Sequence, residues 1–78
     1  MIRVGDIYED LTKETVTCTI TFVSPHTVNV LGNTGGMFTF NHNPKEEADF
    51  LRNRKLIGAY NTWVEAVNSE EFNNVERN

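Results

Sequence analysis

The sequence predicts an α+β fold: a small antiparallel sheet of about five strands, an inserted helix and a short C-terminal helix. Three observations carry that expectation. Residues 15–22 alternate apolar and polar side chains, glycine-rich Gly32-Asn33-Thr34-Gly35-Gly36 separates two further alternating runs, and Asn43-Pro44-Lys45-Glu46 starts a helix after which the period changes. Seventy-eight residues make one domain, 1–78, with room for a single modest core.

In chain order, Arg3-Val4-Gly5-Asp6-Ile7-Tyr8-Glu9-Asp10 reads as a strand broken near Gly5, followed by a turn from Leu11 to Glu14. Thr15-Val16-Thr17-Cys18-Thr19-Ile20-Thr21-Phe22 is the clearest strand. Period two sends Val16, Cys18, Ile20 and Phe22 to the core and the four threonines to water. Ser24-Pro25-His26-Thr27 turns the chain, and Thr27 to Leu31 resumes the alternation with Val28 and Val30 on one face. After the glycine-rich hairpin, Met37 to Asn41 is the next strand, with Phe38 and Phe40 inward.

The helix that follows has Asn43 as its cap and Pro44 at its first position. Ala48 and Leu51 share a face with Phe50 beside it, and Arg52, Arg54 and Lys55 fall in the last turn, where cations complement the helix dipole. Residues 59–67 admit two readings. Tyr60, Thr62, Val64 and Ala66 alternate as in a strand, whereas Thr62-Trp63-Val64-Glu65 is a capping box for a helix with Val64, Val67, Phe72 and Val75 inward. The strand to about Val67 is the preferred expectation, with a short helix from Ser69 and a frayed end at about 73–78.

Charge and cysteine content narrow the function. The net charge is −4: residues 1–44 carry −2, 45–55 carry +1 and 56–78 carry −3. Such a balance disfavours nucleic acid, whose nonspecific binding depends on neutralising phosphates. Cys18 is the single cysteine and has no internal partner, which fits a reducing compartment. No run has the length of a membrane span or a signal peptide, so the expected location is the cytoplasm, with no membrane partner.

Catalytic and metal constellations are missing from the pattern. Cys18, His26 and His42 include no closely spaced ligand pair, and a cysteine on the apolar face of a strand behaves as a small hydrophobe. The glycine-rich loop lacks the Gly-Lys-Ser/Thr ending of a phosphate loop and leads into a strand. No enzyme activity, cofactor or metal is expected. The candidate partner contacts are Tyr60 and Trp63, as aromatic anchors, with Glu65, Glu70 and Glu71. Arg52, Arg54 and Lys55 form an alternative basic contact. Glu65, Glu70, Glu71 and Glu76, with Glu47 and Asp49, could imitate nucleic acid, although mimicry calls for a denser row of carboxylates.

Val4-Gly5-Asp6-Ile7-Tyr8-Glu9-Asp10, Val16 to Ser24 and Thr27-Val28-Asn29-Val30 together resemble short phage- and prophage-encoded proteins. In that group a Val-Gly-Asp-x-Tyr-x-Asp opening leads into a small SH3-like barrel. The resemblance covers about residues 3–41; the helix from Asn43 and the long acidic end depart from it. It implies a partly open SH3-like barrel and a phage accessory protein that modulates or inhibits a host factor in defence, transcription or replication. The partner implied is a host or phage protein in the host cytoplasm, with homodimerisation left open. A nucleic-acid mimic and a nucleic-acid-binding small barrel are the alternatives.

Overall fold

In the computed structural model, which describes residues 1–73, the first four expected strands are β1 (Asp6–Asp10), β2 (Thr17–Val23), β3 (Thr27–Gly32) and β4 (Met37–Asn41). Helix α1 (Pro44–Leu51) follows, then β5 (Arg54–Ala59), α2 (Trp63–Val67) and α3 (Glu70–Asn73). The five strands form one antiparallel sheet in the order β4-β3-β2-β1-β5, so the last strand returns to the free side of the first. Val75, Glu76 and the expected frayed end, apart from Asn73, lie outside the described residues. Asn73 itself closes α3, its amide donating to the carbonyls of Val67 and Ser69.

Helices cover the sheet from both sides. On one face, Tyr8, Cys18, Ile20, Val28 and Val30 pack with Ile2 and with Phe50 of α1. The Phe50 ring stacks on Phe40 at 4.9 Å and meets Tyr8 edge-on at 5.4 Å. On the other face, Ile7 packs with Ala66 of α2 and Phe72 of α3. No helix among the described residues is long and apolar enough to cross a membrane.

The second layer corrects the placing of the threonines. Thr17 and Thr19 are 1% and 0% exposed, because α2 and α3 cover the face they occupy. Their hydroxyls are satisfied there by carbonyls: Thr17 donates to Phe72 and Thr19 to Asp6, each at 2.7 Å. Burying a hydroxyl is tolerated when it is bonded in this way. Phe22 is also corrected. The β2–β3 register shifts between Ile20 and Phe22, which reverses the parity, so Val23 takes the core position and Phe22 is exposed.

Two further expectations fail in the C-terminal half. The first is that Arg52, Arg54 and Lys55 complete a helix. Instead α1 ends at Leu51 with Arg52 as its cap, and Arg54 and Lys55 open β5. Pairing with β1 captures this segment: the Leu11 amide donates to the Asn53 carbonyl at 2.8 Å, and Asp10 faces Arg54. The second is the strand over 59–67. The Thr62 side chain accepts the Glu65 amide at 3.1 Å and its hydroxyl donates to the Glu65 carboxylate at 3.3 Å, so the capping box opens α2 instead.

Gly5 ties the start of the chain to this region. Its φ is +92°, and a Cβ there would lie 2.0 Å from the Tyr60 carbonyl oxygen. The Tyr60 amide in turn donates to the Gly5 carbonyl at 3.0 Å. Only glycine permits that approach.

Candidate protein-interaction surface

The capping box sets the direction of every side chain on α2. Trp63, Ala66 and Val67 lie on one stripe by helical spacing, and Ala66 is fully buried against Ile7. Trp63 therefore sits at the margin of the packed stripe, 42% exposed, while Val64 beside it points out and is 49% exposed. The inward place expected for Val64 in a helix is thus corrected. Gly5 donates to the Ile20 carbonyl and lies against the Thr62 carbonyl, so α2 starts at the end of the sheet where β2 finishes. Exposed Phe22 belongs to that end and to the same face. Phe22, Trp63 and Val64 are exposed apolar side chains.

The acidic candidates divide. Glu65 is engaged in the capping box. Glu71 accepts the Tyr60 hydroxyl at 2.6 Å, which holds its carboxyl below the ordinary carboxylate value and raises the Tyr60 hydroxyl above its own. Glu70 is exposed on α3. Tyr60 is consequently a brace between the end of β5 and α3, half-buried, rather than an open side chain like Trp63.

The basic candidates divide too. Arg52 donates to Asp49 at 2.6 Å, and Lys45 pairs with the same carboxylate at 3.4 Å. Arg52 holds the Asp49 carboxyl below its usual range. Lys55 is exposed on β5 opposite Glu9. Arg54 projects over aromatic rings, 4.4 Å from the centre of Phe50 and 5.7 Å from that of Phe38, with one nitrogen donating to the Phe50 carbonyl at 3.1 Å. Phe38, expected inward, is 42% exposed, because it belongs to an edge strand and flanks an open cleft shared with α1. Nothing in the local pattern marks this Arg54–Phe38–Phe50 cluster, since it requires β5.

Cys18 and His42 are both held within the fold. Burial pushes the Cys18 thiol up to about 11, which keeps it protonated and unreactive at neutral pH. His42 makes a 2.7 Å contact with the Ser24 carbonyl through Nδ1 and lies 3.7 Å from Glu47 through Nε2. Among the described residues, no group of three or more His, Cys, Asp or Glu side chains could hold a metal ion. Searches against protein-family models, curated proteins and solved structures found no match to this chain.

Proposed function

We propose that this protein is a non-enzymatic protein-binding module on an SH3-like, partly open barrel, and that Trp63 and Val64 anchor its partner. The observation that carries the reading is the exposure of these two adjacent side chains on a helix locked at its start by a capping box. A rigidly presented aromatic beside an aliphatic residue is a low-entropy anchor for a partner's pocket. The barrel reading draws support from β5 returning to β1 and from Arg54 bridging to Phe38 on the opposite edge strand. The resemblance of residues 3–41 to phage-encoded proteins supports a phage accessory role, in which the partner is a host or phage protein and binding inhibits or modulates it. Protein is favoured over nucleic-acid mimicry because Glu65 and Glu71 are already bonded within the chain.

Capture from bacterial lysate on immobilised protein tests this reading. A protein retained by the wild type, and lost with W63A and with V64E while both variants keep the wild-type circular dichroism, is the expected result. Equal retention by both folded variants would remove the proposed anchor.

A further inference from the structure

The two outer edges of the sheet are protected very differently. β5 carries Arg54 and Lys55, and its pairing with β1 is interrupted by a register shift, both of which discourage strand addition. β4, Met37-Phe38-Thr39-Phe40-Asn41, contains no charged residue and no proline. Its register fixes which groups face outward. The Gly32 amide donates to Gly36 and the His42 amide to His26, so even-numbered residues of this strand turn their backbone groups toward β3. Met37, Thr39 and Asn41 turn theirs away.

Asn41 is already satisfied. Its amide and side chain donate to Glu46 at 2.9 and 3.0 Å, and its carbonyl accepts the Asn43 amide at 2.9 Å. Met37 and Thr39 have no such cover: among the described residues no hydrogen bond reaches their outward groups, and Met37 is 70% exposed. The open length of edge is therefore three residues, centred on Phe38.

We propose that this edge takes a second copy of the same chain, β4 against β4, antiparallel about a two-fold axis at Phe38. That register pairs Met37 with the partner's Thr39 and Thr39 with the partner's Met37, so the outward backbone groups of both residues are used on each copy. Opposite Asn41 and its Glu46 cap the same register brings Gly35 of the second copy, which has no side chain to clash there. The two Phe38 rings fall directly opposite each other at a non-hydrogen-bonded position, where side chains come closest, beside the cleft that Phe40, Phe50 and Arg54 line. The strand itself brings no charge to the contact, and a partly exposed aromatic ring is covered. The contact is small, so the dimer is weak and depends on concentration.

Sedimentation equilibrium up to about 1 mM protein, with amide hydrogen exchange at low and high concentration, tests the proposal. The expected result is reversible dimerisation, with the Met37 and Thr39 amides protected only at high concentration. T39P removes an outward amide and leaves the β3 ladder intact, so it should weaken dimerisation by at least about tenfold. F38K opposes two like charges at the axis and should do the same, and it decides the matter if T39P does not fold. A wild type that stays monomeric, or a folded F38K that dimerises as the wild type does, overturns the proposal.

Discussion

Arg54 and Phe38 lie on opposite edge strands of the sheet, yet the guanidinium stands 5.7 Å from the centre of the Phe38 ring. The two edges are linked there through side chains and not through backbone hydrogen bonds: the planar cation also stands 4.4 Å from the Phe50 ring centre.

R54A should therefore cost about 1–3 kcal/mol, the sum of a part-desolvated cation–π contact and the hydrogen bond to the Phe50 carbonyl. R54K should recover little of it, because an ammonium cannot lie flat on two rings while donating sideways. Denaturant midpoints of the three proteins check both statements, and a lysine variant equal to the wild type would reduce the cluster to simple charge.

G5A should be more damaging than its size suggests. The added methyl would sit 2.0 Å from the Tyr60 oxygen on a backbone with φ +92°. We expect a loss of more than about 3 kcal/mol, since strain and overlap act together. Urea unfolding measures it; a loss under about 1 kcal/mol would mean that the turn joining Gly5 to Tyr60 yields.

Tyr60 and Glu71 should stabilise the fold within a pH window. The folded Glu71 carboxyl lies below its ordinary value of 4.5, so its contribution is complete above that value and is lost as the pH falls through the folded one. The folded Tyr60 hydroxyl lies above 10.0, so its contribution is complete below that value and is lost as the pH rises through the folded one. The wild-type minus E71Q difference in denaturant midpoint should be flat between these limits and shrink outside them. A difference independent of pH would show that the hydrogen bond does not discriminate charge states.

The sequence disclosed most of the sheet and little of the site. β2, β3 and β4 were legible because each has one face of regular apolar spacing and a turn signal at its end, and Asn43-Pro44-Lys45-Glu46 marked α1. β5 was hidden: Arg54-Lys55-Leu56-Ile57-Gly58 does not alternate, and pairing with β1 overrides its local character. Thr17 and Thr19 look like a wet face, and only the docking of α2 and α3 shows otherwise. Residue type and strand parity both mark Trp63 as a candidate surface residue; its exposure follows instead from a helix capped at Thr62, which competes with an equally regular strand pattern.

The anchor role of Trp63 is most directly tested by its own fluorescence, since it is the chain's one tryptophan. The protein captured from lysate would be titrated into the wild type with selective excitation of indole, against a tryptophan-matched control containing W63F. Burial of Trp63 at the interface predicts a saturable blue shift that the W63F control lacks. Saturable binding by an independent method, with the Trp63 emission unmoved, would contradict the account and place the contact elsewhere on the molecule.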